Sequence, residues 1–374
     1  MAQTETPFYR LGVRFLTFTA LIALSLLIPS GARAELGALD SIRESIRSGD
    51  QGRAIGALLA LEPTTEDATE RTEARFLLGK LLTEQGSTVG LGYLQSLPTP
   101  MPAVEDRRIV WLARAQAVAG PSEDAVKALR AALKHASGAD EAAQLRLALA
   151  SVEDALGRWP ESAEILRSIA AGKGARHLRA TALHRLATRE DEPLAERKRR
   201  AHRLLLYFPD TPQAMGTDLP VTVEDLSDRE RLRRAERLMK RFDYDTARPE
   251  LHRLAEHAKH GRDARWNLAN IGLTKLRDDP EGARALFKRE IALDGRRKEE
   301  ALFSLIRTHV KADQYTQALR LSDRYDREYP RGKYAERVAY YRGWLPYDER
   351  KCTRALPELR KYVKRFGKRR SYVR

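Results

Sequence analysis

Apolar residues recur along this chain with a helical period, and one short pattern repeats at nearly constant intervals. A small residue is followed, four positions on, by a large apolar one: Ala54 and Leu58, Gly90 and Leu94, Ala125 and Leu129, Ala201 and Leu205, Ala247 and Leu251, Ala283 and Phe287, Ala355 and Leu359. Ala163 with Leu166 and Ala318 with Leu321 fit the series one residue short. Successive small residues lie 36, 35, 38, 38, 46, 36, 35 and 37 apart. Residues four apart share a helix face. A small residue there lets a second helix approach, and the apolar residue one turn on fills the groove beside it. The pattern therefore predicts helical hairpins, one per interval, each with too little core to stand alone and each completed by its neighbours. β-branched and aromatic runs of the strand kind are nearly absent, so a sheet-based fold is not expected.

Helix-breaking residues fall where such hairpins need them. Phe242-Asp243-Tyr244-Asp245, Asp278-Asp279-Pro280-Glu281-Gly282 and Lys311-Ala312-Asp313-Gln314-Tyr315 read as turns whose Asp, Gly and Pro stop one helix and cap the next. Leu97-Pro98, Phe208-Pro209 and Tyr329-Pro330 mark helix ends, because the residue before proline is pushed out of helical geometry. The one long interval contains Pro209, Pro212, Gly216 and Pro220. The expected fold class is all-α, a solenoid of helical hairpins forming a superhelix. Its expected divisions are 35–208, a linker at 209–225, and a second array at 226–374. The intervals slightly exceed the 34 residues of the tetratricopeptide consensus, so the hairpins resemble drifted tetratricopeptide repeats.

The first 34 residues belong to a different pattern. Arg10 and Arg14 precede an apolar stretch, Phe15 to Pro29, that is short for a membrane span and broken by proline. Ala32-Arg33-Ala34 has the form of a cleavage site. Residues 1–34 are thus expected to be a signal peptide, the mature chain to begin at Glu35 without a transmembrane span, and the destination to be the periplasm. No cysteine follows the site and the two arginines are not adjacent, which argues against lipoprotein and twin-arginine export. Cys352 is the single cysteine of the 374 residues, so stability must come from helix packing rather than disulfides. Its place beside Ala355 reads as a buried structural thiol.

The net charge of +16 is concentrated at one end. Arg350 to Arg374 holds eleven Lys or Arg against Glu358 alone, and Glu35 to Glu349 carries only about +4. Arg360, Lys361, Lys364, Arg365, Lys368, Arg369 and Arg370 are the candidate residues for binding an anion or an acidic partner. Nucleic acid is a poor partner for an exported protein. Lipid headgroups, the acidic peptide stems of peptidoglycan or an acidic envelope protein suit it better.

Other constellations are weaker. His252, Glu256 and His260 share a helical face if one helix spans them, but they lack the order of zinc peptidases, and no metal is assigned. The carboxylate pairs fall in turns and first helical turns, where acids complement the helix dipole. Gly172-Lys173-Gly174 lacks the rest of a phosphate loop. Tyr340, Tyr341, Trp344 and Tyr347 form an aromatic group whose expected role is packing between the last hairpins. No catalytic residue and no cofactor are assigned.

Two segments carry a resemblance. Leu226-Ser227-Asp228-Arg229-Glu230-Arg231-Leu232-Arg233-Arg234-Ala235-Glu236-Arg237-Leu238, with Tyr244, Ala247, Glu250-Leu251 and Leu254-Ala255, resembles the helical array of bacterial soluble lytic transglycosylases. So does Tyr329-Pro330-x-Gly332-x-Tyr334-Ala335-Glu336 followed by Tyr340-Tyr341-Arg342-Gly343-Trp344-Leu345. In that family an α-superhelix precedes a lysozyme-like domain that cleaves peptidoglycan strands and leaves a 1,6-anhydro sugar. The family's catalytic Glu-Ser is followed by a Gly-Leu-Met-Gln stretch. Glu44-Ser45 and Glu161-Ser162 have no such sequel here, so no catalytic role is carried over to either. The resemblance implies the superhelical part without the enzyme. Because no polar capping helix is visible, the polypeptide is expected to continue beyond Arg374. The alternative is a stand-alone periplasmic repeat scaffold that binds an envelope protein.

Overall fold

A computed structural model describes residues 38–101, 103–275 and 279–367. The expected signal peptide and Lys368, Arg369 and Arg370 lie outside these residues. The described chain is all helical, with nineteen α-helices, two short 3-10 turns and no strand. It divides into two compact units, which part between Arg179 and Ala180.

The first unit holds α1 (Ala38–Arg47), α2 (Gln51–Leu61), α3 (Ala68–Glu84), α4 (Val89–Gln95), α5 (Glu105–Ala119), α6 (Glu123–Ala132), α7 (Ala139–Ala155) and α8 (Trp159–Ala171). The division falls inside α9 (Arg176–Thr188). The second unit continues with α10 (Leu194–Tyr207), α11 (Pro212–Met215), α12 (Asp228–Lys240), α13 (Tyr244–Ala255), α14 (Gly261–Thr274), α15 (Pro280–Ala292), α16 (Lys298–Lys311), α17 (Tyr315–Glu328), α18 (Ala335–Asp348) and α19 (Cys352–Phe366). Within each unit most helices pack on the next one along the chain. The leading helices of neighbouring hairpins also touch, α3 with α5 and α5 with α7 in the first unit, α12 with α14 and α14 with α16 in the second. This is the contact pattern of an α-solenoid.

Each small residue of the repeating pattern sits on the second helix of a hairpin and is buried: Ala54, Gly90, Ala125, Ala163, Ala201, Ala247, Ala283, Ala318 and Ala355. Gly90 shows why size matters. A Cβ there would lie 2.8 Å from the Gly79 carbonyl oxygen and 2.6 Å from the Thr83 hydroxyl, both on the partner helix α3. The apolar partners Leu58, Leu94, Leu129, Leu166, Leu251 and Phe287 are fully buried beside them. Leu321 and Leu359 are only partly so.

Helix starts are fixed by side chains that accept free backbone N–H groups. Asp50, Asp67, Ser122, Asp243 and Asp279 do this for α2, α3, α6, α13 and α15. Helix ends repeat one device. Gly49, Gly86, Gly157, Phe242, Asp313 and Arg350 each follow the first helix of a hairpin with φ between 54° and 82°. In each case the next residue's N–H bonds five residues back, as Asp50 does to Ser45 and Gln314 to His309. That left-handed residue reverses the chain while satisfying carbonyls that the helix leaves open.

The segment 209–225, expected to be a linker, lies inside the second unit and is packed. Thr211, Ala214 and Leu219 are buried. The Gln213 amide donates to the Thr181 hydroxyl at 3.0 Å, and Asp218 meets His184 at 3.1 Å, so the extra residues are tied to α9. The prolines end helices there without releasing the chain from the core.

Candidate functional site

The basic end is carried by α19. Its inner face is fixed by Ala355, Tyr362 and Phe366, which are buried. Tyr362 meets the edge of Tyr340 on α18 with ring centroids 5.8 Å apart. Contact is close because α18 offers Gly343, where a Cβ would lie 2.6 Å from the Leu359 side chain. The outer face is unusual for a solvated helix. Leu356 and Val363 stand about half exposed, two turns apart, with Arg360 in the turn between them.

The four described candidate cations divide into two kinds. Arg365 reaches back to α17, with Nη1 3.2 Å from Asp326 and Nη2 donating to the Pro330 carbonyl. Lys361 pairs with Glu358 at 2.7 Å, one turn earlier on the same helix. These two are engaged in holding and solvating α19. Arg360 and Lys364 are exposed and form no ion pair among the described residues. Arg354, which sequence reasoning left out of the candidate set, is exposed too, but on the opposite side of α19 from Leu356 and Val363. The resulting patch joins Arg360 and Lys364 to two exposed aliphatic side chains. It is suited to an anionic surface with some apolar character.

The other sequence candidates resolve into structural roles. Helix α13 ends at Ala255, so Glu256 caps its C-terminus and His260 precedes α14. The shared face of His252, Glu256 and His260 is therefore broken. Among the described residues no three His, Cys, Asp or Glu side chains are grouped to hold a metal ion. Gly172-Lys173-Gly174 forms the loop between α8 and α9. Glu299 accepts a hydrogen bond from the buried Tyr325 hydroxyl at 2.6 Å, and that oxygen accepts from the Tyr334 N–H at 2.9 Å. Burial and the neighbouring Glu299 push the Tyr325 phenol well above its ordinary pKa. This knot explains the Tyr329-Pro330 segment in packing terms.

The aromatic group is packing as expected for three of its four members. Tyr340 stacks on Trp344 at 6.3 Å, and Tyr341 lies parallel to Phe303 of α16 at 6.5 Å. Tyr347 instead points out and is 60% exposed. Cys352 corrects the expectation of a buried thiol. It is exposed, because α19 begins at Cys352 and its inner face starts only at Ala355.

Among the described residues no helix is long and apolar enough to cross a membrane. No protein-family model matches the chain, and no curated protein is significantly similar to it. The class that the fold defines is an all-helical protein of consecutively packed hairpins, compatible with an α-solenoid.

Proposed function

We propose that this chain is a non-catalytic helical-repeat scaffold of the bacterial cell envelope, the superhelical part of a peptidoglycan lytic transglycosylase. The observation that carries the reading is the α19 patch, in which Arg360 and Lys364, exposed and without an ion pair among the described residues, lie beside exposed Leu356 and Val363. Acidic peptide stems would meet the cations, and their short aliphatic side chains would meet the leucine and valine. Further support comes from the segments that resemble the family. Leu226 to Ala255 forms the hairpin α12 and α13, and Tyr329 to Leu345 runs through the Tyr325 knot into α18. In this reading the stacked hairpins hold the glycan strand near the α19 patch, and cleavage belongs to a separate lysozyme-like domain.

The test is co-sedimentation of the purified chain with peptidoglycan sacculi. The chain is expected to pellet at low salt, and less as salt screens the contact. Arg360→Glu with Lys364→Glu should abolish pelleting while leaving the helical circular dichroism intact. A chain that stays in the supernatant at low salt would overturn the proposal. So would a double variant that pellets like the parent.

A further inference from the structure

The first unit contains a groove of about 480 Å³ between α3, α5 and α7. That volume lies in the range of small-ligand pockets. The walls are mostly apolar, with Trp111, Val118, Ala148 and Val152 among them. Trp111 is nearly buried and carries two cations on its ring. The Arg114 guanidinium carbon sits 4.6 Å from the ring centroid, and the Lys80 ammonium 5.5 Å. Such stacking holds a cation in place and leaves its outward N–H groups available.

Arg114 is the informative residue. Its side chain donates to the neutral Gln144 amide oxygen. No carboxylate lies within ion-pair distance of it among the described residues. Burial lowers its pKa from the ordinary guanidinium value, and Glu141 and Glu84 oppose this only through space. Glu141 is itself occupied by Arg107 at 2.8 Å. A partly desolvated cation without a counter-ion, set at the edge of an apolar groove, is costly unless an anion completes it.

We propose that this groove binds a small amphipathic organic anion. Its carboxylate would sit on Arg114 and its aliphatic body along Trp111, Val118, Ala148 and Val152. A purely polar anion such as inorganic phosphate would leave the apolar walls wet, and a neutral chain would leave Arg114 uncompensated. The charge of Glu84 at the rim limits the affinity. The site is independent of α19 and of the envelope reading.

Titration calorimetry of the full chain with octanoate, and separately with octanol, tests this. Octanoate should bind saturably and octanol about tenfold or more weakly, the difference expected for a hydrogen-bonded charge. Arg114→Gln should weaken octanoate by a similar factor and leave octanol unchanged. Arg114→Lys should retain part of the preference, and Glu84→Gln should tighten octanoate several-fold. Equal binding of octanoate and octanol would overturn the assignment. So would an Arg114→Gln variant with parental affinity and parental circular dichroism, or no saturable heat with octanoate.

Discussion

The turn inside a hairpin hangs on one residue's backbone. Gly49, Gly86 and Gly157 adopt the left-handed conformation at no steric cost, whereas Phe242, Asp313 and Arg350 adopt it against their Cβ. A Cβ on Gly157 would meet nothing within 4 Å, so substitution there isolates the backbone effect. Gly157→Ala should lower stability by about 1–3 kcal/mol, the usual cost of a non-glycine residue held left-handed. Phe242→Gly should move the other way by a smaller amount, since glycine also loses more chain entropy on folding. Denaturant midpoints of the two variants check both signs. The turns at Phe242 and Asp313 were legible in the sequence from the aspartates in them. The left-handed backbone of Phe242 and Arg350 was not, because nothing in an aromatic or a basic side chain signals φ above zero. The neighbouring hydrogen bonds hold them there instead.

The hairpin α12 and α13 is locked by an ion pair taken almost out of water. Arg234 is 4% exposed and Glu250 11%, and the two side chains are in direct contact. Burial pulls the Arg234 guanidinium below its ordinary pKa, opposed chiefly by Asp243 and then Glu224. Among the described residues the Arg234 Nε and one Glu250 oxygen find no hydrogen-bond partner. Removing one member leaves the other buried and uncompensated, so Arg234→Met should cost about 3–5 kcal/mol. Adding Glu250→Leu should recover much of the loss, because a packed apolar pair replaces a poorly solvated ionic one. A double variant as unstable as the single one would show that the pair stabilises the hairpin beyond its own compensation. At this scale the sequence was most readable. The nine small residues marked nine second helices, since close helix approach demands a small side chain whatever its surroundings. The segment 209–225 was less readable. Prolines report where helices stop, and they say nothing about Thr211 and Leu219 being buried. The α19 patch was half legible. Its charge was plain from the run of Lys and Arg, and so was the i,i+3 spacing of Glu358 and Lys361, but the diversion of Arg365 to Asp326 depends on a contact between helices.

Contacts in each unit run mainly between helices adjacent in the chain, and this sets how the molecule should respond to damage. In a stack of this kind, stability is a sum of hairpin terms and nearest-neighbour interfaces. A lesion in one hairpin therefore weakens the helices it touches and fades with distance along the chain. Gly90 provides the cleanest lesion, because any Cβ collides with backbone of α3 and the helix cannot relax without losing Leu94 from its slot. Gly90→Val should cost about 1–3 kcal/mol by overpacking. Native-state hydrogen exchange should locate that cost. Amides of α3, α4 and α5 should exchange faster, while those of α16 to α19 keep their parental protection. Sedimentation with sacculi should then survive the substitution, and octanoate binding in the groove between α3, α5 and α7 should weaken. If α16 to α19 lost protection by the same factor as α3 to α5, the chain would be unfolding as one cooperative body. The two binding surfaces would then be coupled through global stability rather than held by separate hairpins.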